Sequence, residues 1–589
     1  MRLLQNKWPS DRSAEGYLFF AQCVEEFLFD YTPEIFRVPT LNTPARIDEA
    51  IYVIESVKHK HFHVSNISAV ISETIDSIHH DEVAKDLIGN RLSAIEKGLS
   101  DLQNEDELIR TLIYTKRIIG DKYTQKWKEK ISVLLKDGMN KTSIHESAEF
   151  LCTSLIIEGY AKEAIYNGIK KFFFRKDVTS PEESFAKFAS SFSGEPRIYH
   201  LYCGISGEFS KFFEDSVEPR PTILEDGNKI KGATPNFIEK LTKNGKRILH
   251  FKRAALDHYS AQQSYCHLLG FLEAAARFYA HKADLSWEKD MYVIADGDSR
   301  GRFIQDSVSN MHRVKDHSTE RAGQPFKDKI RLTLSSSSDD GTRDKLIAGV
   351  IAHLTALKSP TPEAQLISLW SGVEAMLPQK SENHKGPSID HYINFMIPSI
   401  MIGYVERMLK YCYNDFRSLY GSRFLDIISK SPYGNGKLDK FSAVVLLDEC
   451  KEIKNELLNL CADNPLAKYK VHYLQKKLSS LNKINSTISN YRKRVEWQIR
   501  RIYRTRNNIV HAGYGAPFTD SLLSNLHDYF DAMTTNFDKY LSMSRSHPKV
   551  DSTFDHIRKE FDLYMDLLQK IPKSEKMSGY NYKEILMLP

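Results

Sequence analysis

From Thr361 onward the apolar residues recur at steps of three and four, a period that commits the second half of the chain to amphipathic helices. Thr361-Pro362-Glu363 supplies a capping side chain, a proline for the first helical position and an acid for the first turn. Leu366, Leu369, Trp370, Val373, Met376 and Leu377 then line one face, and Pro378 ends it. Residues 389–419 read as a helix kinked at Pro398, and residues 446–460 and 471–481 as shorter helices. A longer helix is expected over residues 486–512, closed by Gly513, Gly515 and Pro517. Residues 519–541 follow, with Leu522, Leu526, Tyr529, Phe530, Met533, Phe537 and Tyr540 inward. The pattern predicts a bundle of four or five helices.

The first 180 residues carry the same period. Phe19, Cys23, Phe27 and Leu28 form one stripe, and Leu87, Ile88, Leu92, Ile95 and Leu99 another. Between them and the bundle the signal changes. Residues 197–203, 246–252 and 290–295 are short, apolar or aromatic and flanked by turn formers, which favours strands, with a long helix over 254–281. The expected fold is mainly α: a helical domain over 1–190, a small α/β domain over 191–340, a helical bundle over 341–548 and a helical extension over 549–589. The polar run Ser335-Ser336-Ser337-Ser338-Asp339-Asp340-Gly341 is the expected linker before the bundle.

A chain of 589 residues is too long for one core. Its 41% hydrophobic, 27% charged and 11% aromatic content is that of a globular protein. No apolar run approaches the roughly 18 residues of a membrane span, and the start has no secretion signal, so no membrane partner is expected. Seven scattered cysteines without a Cys-x-x-Cys pair fit a reducing, cytoplasmic setting. Neither Gly-x-x-x-x-Gly-Lys-Ser/Thr nor Gly-x-Ser-x-Gly occurs, which argues against a P-loop ATPase or an α/β-hydrolase.

The polar chemistry concentrates in the predicted long helix. From Tyr491 to Arg506 it holds Arg492, Lys493, Arg494, Arg500, Arg501, Arg504 and Arg506 against one acid, Glu496. That local surplus of six equals the formal net charge of +6 for the whole chain, so a polyanion is the first partner to consider. Val495, Ile499, Ile502, Ile509 and Gly513 form the core-facing stripe. Arg506 lies on that stripe, four residues after Ile502, where a fixed charge is costly without a partner. Asn507 and Asn508, poor helix formers, follow it. Such a break in local rules marks either a functional site or a core-edge salt bridge before a fraying helix end.

Arg506-Asn507-Asn508-Ile509-Val510-His511, followed by Ala512-Gly513, resembles the signature of HEPN domains: Arg, a polar residue, a short spacer, then His. Its wording is similar to the Apea-like branch. The segment Leu366-Ile367-Ser368-Leu369-Trp370-Ser371-Gly372-Val373-Glu374-Ala375-Met376-Leu377 resembles that branch's first long helix. The likeness covers residues 345–545. It implies a metal-independent endoribonuclease without cofactors, acting on RNA (tRNA being one candidate) in prokaryotic anti-phage defence under a phage-derived trigger. His511 would be the general acid or base, Arg506 the phosphate ligand and Asn507 its polar companion; Asn508 has no role in that scheme.

Geometry adds a condition. Five residues along an ideal helix rotate by about 140°, so Arg506 and His511 do not share a face. Either the helix breaks at the asparagines or a second copy completes the site, and the family's dimers favour an isologous homodimer. Glu374 either pairs with Arg506 or His511 or sits in water at the stripe's margin. Arg500, Arg501 and Arg504, taken as an outer helix face, either track RNA or form intramolecular ion pairs, and Trp497 and Tyr503 are candidates for base stacking. Two further functions stay open: a non-catalytic RNA- or nucleotide-binding module, and the toxin of a toxin–antitoxin pair. Weaker groupings are His59, His61 and His63, read as an exposed helix end rather than a metal site, and Asp296-Gly297-Asp298, read as a turn.

Overall fold

A computed structural model describes residues 12–175, 180–214, 221–224, 227, 230–306, 319–335, 341–380, 386–513, 515–543, 549–570, 577–579, 582 and 586. The expected linker residues 336–340 lie outside them. The chain divides into two compact units. One comprises residues 1–150, 176–181 and 310–589, and the other residues 151–175 and 182–309. The fold is mainly α, with one small antiparallel sheet in the middle of the chain.

In the larger unit the amino-terminal helices α1 (Arg12–Leu28), α2 (Thr43–Lys58) and α3 (Ser65–His80) share a body with the carboxy-terminal bundle. Polar side chains join the two. Lys470 reaches Glu26 of α1 and Asp415, and the Gln22 side chain accepts from the Leu466 N–H at 3.1 Å. Arg37 binds Asp528 at 2.6 Å, and the Tyr491 hydroxyl donates to Glu34 at 2.7 Å. Paired ionic groups at such depth register helices more than they stabilise them, because each must recover its lost hydration.

The bundle's start signals act as the sequence predicts. The Thr361 hydroxyl accepts from the Ala364 N–H at 3.3 Å, Pro362 takes the first turn, and the helix Pro362–Met376 stops before Pro378. This helix forms a hairpin with Thr342–Lys358. Gly372 permits the close approach: a Cβ there would lie 3.0 Å from the Ala352 Cβ and 3.3 Å from the Phe530 ring. The helix expected over 389–419 is two, Ser388–Met401 and Tyr404–Ser429; the first passes through Pro398, and the break falls at Ile402-Gly403 instead. The motif helix, Leu481–Ala512, begins five residues earlier than expected because Ser480 caps it, accepting from the Lys483 N–H at 3.4 Å. It ends where Gly513 adopts a left-handed φ of 74° and its N–H returns to the Ile509 carbonyl at 3.1 Å. Val495, Ile499 and Ile502 are fully buried beneath it, against the following helix Thr519–Met543 and the helix Val550–Lys570.

The smaller unit holds strands β1 (Arg197–Ile205), β2 (Thr222–Leu224), β3 (Arg247–Ala255), β4 (Trp287–Ala295) and β5 (Arg302–Ile304), in the order β2-β3-β1-β4-β5. All pairings are antiparallel. Leu201, Cys203 and Leu249 face the helix His258–Arg277, while Tyr202, Ile248 and Tyr292 build a second layer with Ile230 and Leu241. That helix starts four residues later than the pattern suggests, because Asp257 caps it, accepting from the Tyr259 and Ser260 N–H groups at 2.7 and 2.9 Å. Asp296-Gly297-Asp298 forms the turn after β4, with Asp298 bound to Arg197 at 2.7 Å.

Candidate functional site

The motif helix runs without interruption through Asn507 and Asn508 to Ala512. The asparagines therefore do not break it, and Arg506 and His511 of one chain point about 140° apart. Arg506 turns inward and is half-buried. Its Nη2 donates to Glu374 Oε2 at 3.2 Å and its Nη1 to Asn507 Oδ1 at 3.0 Å. The buried Nε has no acceptor among the described residues. Asn508 is half-buried; Val510 and His511 are exposed, and no hydrogen bond or ion pair engages the His511 imidazole among the described residues.

Glu374 is the hub. Trp370, one turn before it, donates its indole N–H to Glu374 Oε1 at 2.8 Å, and the Tyr392 hydroxyl also bonds to this carboxylate. Burial, followed by the Glu374 charge, pushes the Tyr392 phenol up to about 12, so it is a donor at any ordinary pH. Tyr503 completes an aromatic wall, its ring 5.6 Å from Trp370 and 6.0 Å from Tyr392. Glu374 and Tyr392 also line a cavity of about 420 Å³, with Lys345, Lys380 and His391 on its walls. Tyr503, singled out for base stacking, is thus half-buried within the wall; Trp497 is half-buried on the motif helix. The one sequence signal for this wall was Trp370 standing four residues before Glu374. Tyr392, on a separate helix, left none.

The outer-face reading of Arg500, Arg501 and Arg504 is corrected. The Arg501 side chain is 1% exposed, and its guanidinium grips Glu49 of α2 and Glu73 of α3, with Nη2 2.6 Å from each. Arg504 donates to Glu49 at 2.7 Å and lies 3.4 Å from the Asn66 amide oxygen. Arg500 is held by Glu496, one turn back, at 3.0 Å and by Asp390 at 2.9 Å. Burial raises the Glu49 carboxyl pKa, but the charges of Arg501 and Arg504 outweigh it and hold the group at about 2. These arginines are spent on the fold, because each buried charge is held by carboxylates of neighbouring helices or its own helix, although the Nη1 of Arg500 and of Arg501 has no acceptor among the described residues. Arg492 and Lys493, by contrast, are exposed.

His59, His61 and His63 lie on the exposed turn after α2, where His59 takes the cap position. The seven cysteines are free thiols. Among the described residues no helix is long and apolar enough to cross a membrane. No family model, curated protein or solved structure matches this chain.

Chemically, the last turn of the motif helix offers an oriented guanidinium with a spare donor and, around the helix, an accessible imidazole. The first suits an anionic oxygen and the second a proton transfer.

Proposed function

We propose that this chain is a metal-independent endoribonuclease of the HEPN type, in the Apea-like branch, whose active site forms where two copies bring their motif helices together. Arg506 binds a non-bridging phosphate oxygen and neutralises charge as it develops. His511 accepts the ribose 2′-hydroxyl proton or protonates the departing 5′-oxygen. The 2′-oxygen bonds to phosphorus as the P–O5′ bond breaks, leaving a 2′,3′-cyclic phosphate. Asn507 orients the guanidinium, and Glu374 holds it in place until phosphate competes for it. Asn508 is dispensable for the chemistry.

The observation that carries this reading is the state of Arg506, a half-buried guanidinium aimed by Glu374 and Asn507 with its Nε–H unmet. Burying an unmet donor costs about 1–3 kcal/mol. Arg500 and Arg501 each leave an Nη1 unmet among the described residues as well, so what sets Arg506 apart is access: its side chain is 22% exposed against 11% and 1% for theirs, and a ligand oxygen can reach it. The unbroken helix makes the homodimer part of the proposal, because the catalytic pair must come from two chains. Exposed Arg492 and Lys493 track the RNA backbone, since Arg500, Arg501 and Arg504 are engaged in intramolecular ion pairs, the other of the two roles open to them. RNA, with tRNA as a candidate, is the proposed substrate, in cytoplasmic anti-phage defence under a phage-derived trigger.

The test is incubation of the full chain with total tRNA in EDTA, well below its unfolding temperature in that buffer. Cleavage to cyclic-phosphate ends is expected, falling by roughly 10²–10⁴-fold in His511→Ala and comparably in Arg506→Ala. A strict requirement for added divalent metal, or full activity in an obligate monomer, overturns the mechanism. A second reading has its own support, since Glu374 already occupies part of the guanidinium: a module that binds RNA or nucleotide without cutting it. Tight binding with no cleavage by the wild type selects it. A toxin of a toxin–antitoxin pair shares the cleavage chemistry and differs in having an inhibitor that binds it.

A further inference from the structure

We infer that His353, His527 and Asp531 form a binding site for one divalent transition-metal cation of the zinc class, separate from the cleavage chemistry. His353 lies on the helix Thr342–Lys358; His527 and Asp531 stand one turn apart on Thr519–Met543. The two imidazoles meet Nε2 to Nε2 at 3.1 Å, and Asp531 Oδ1 lies 3.9 Å from His527 Nε2. One donor atom from each of the three side chains falls within 4.8 Å of the others.

Zinc binds imidazole nitrogen at about 2.0–2.1 Å, so two ligands 3.1 Å apart subtend about 100° at the metal, close to tetrahedral. Bringing Asp531 Oδ1 from 3.9 Å to the 3.1 Å edge of the histidine pair needs it to close by about 0.8 Å on His527, a movement that side-chain rotation of the aspartate supplies. A proton shared between the rings accounts for the histidine contact alone. A cation also accounts for the carboxylate beside it, because it lets both Nε2 lone pairs and an Asp531 oxygen converge on one point. Two imidazoles and one carboxylate suit Zn²⁺, Co²⁺ or Ni²⁺ and are poor for Mg²⁺ or Ca²⁺, which prefer oxygen.

The surroundings suit a built site. His527 is 4% exposed, and the Phe530 ring stacks on His353 with centroids 5.7 Å apart. Gly372 lets that same phenyl ring close onto the hairpin. Asp531 also lines a pocket of about 660 Å³, so the carboxylate side of the site borders open space, while neither histidine is among the pocket's walls. The bound ion ties the hairpin carrying Glu374 to the helix that follows the motif helix. Its role is to hold the scaffold.

The experiment uses the full chain freed of metal by chelator dialysis and titrated with Co²⁺. One equivalent per chain with visible ligand-field bands is expected, displaced by Zn²⁺, together with a higher melting temperature. His353→Gln and the isosteric Asp531→Asn, each checked for native circular dichroism, should bind at least roughly 100-fold more weakly and lose the thermal shift. A variant with His59, His61 and His63 all changed to Ala should keep the equivalent. The site does not exist if the wild type takes up no Co²⁺, if both ligand variants bind as it does, or if the triple variant alone loses the ion.

Discussion

The middle and the last turn of the motif helix carry the same residue type to opposite ends. Arg501 and Arg504 are sealed against Glu49 and Glu73, whereas Arg506, one turn and a half beyond Arg501, has a single carboxylate opposite it and a side chain 22% exposed against 1% for Arg501. The difference lies in what packs opposite. The middle faces α2 and α3, which supply two carboxylates for two guanidiniums. The last turn faces Glu374, a single carboxylate already shared with Trp370 and Tyr392. A run of arginines is therefore not one feature: its members are structural or available according to the acids that the rest of the fold brings to them.

The contrast breaks most readily at Glu49. Glu49→Ala strips a partner from two buried guanidiniums and should cost about 3–5 kcal/mol, read by chemical denaturation. A loss under about 1 kcal/mol would mean the middle is not sealed. Acid probes the same contact. Because the folded-state pKa of Glu49 sits at about 2, below its unfolded value, its contribution is complete above about pH 4.5 and disappears as pH falls towards 2. The wild-type melting temperature should drop more steeply across that window than that of Glu49→Gln. At the other end of the helix the effects shrink. Glu374→Gln breaks a pair whose side chains are 22% and 26% exposed, and should cost no more than about 1 kcal/mol by denaturation. His511→Ala should leave stability within about 0.5 kcal/mol of wild type, so that any loss of cleavage belongs to chemistry rather than folding. A melting shift comparable to that of Glu49→Ala would place His511 in the fold instead.

Much of the helical architecture was readable along the chain. Thr361-Pro362-Glu363 starts a helix and Gly513 ends one because caps act on their own neighbours, within four residues. Three of the five strands were found but drawn short, since β1 and β3 extend past their apolar centres by pairing with each other from Arg197 to Ile205, while the three-residue β2 and β5 were missed. Pro398 misled, as the break fell instead at Ile402-Gly403. For the site, Arg506 on the apolar stripe correctly signalled an inward charge in need of a partner, and Glu374 was one of two readings for it. Tyr392 was invisible, and so was the pairing of His353 with His527, separated by 174 positions.

What the sequence determined by itself was periodicity and punctuation: where helices run, which stripe is buried, and that one arginine falls on it. Tertiary structure decided which charges meet. Glu49 and Arg501 are 452 positions apart, and no local rule links them. Their contact exists because the first helices fold back onto the carboxy-terminal bundle, and in a space emptied of water an arginine must take the carboxylate placed beside it.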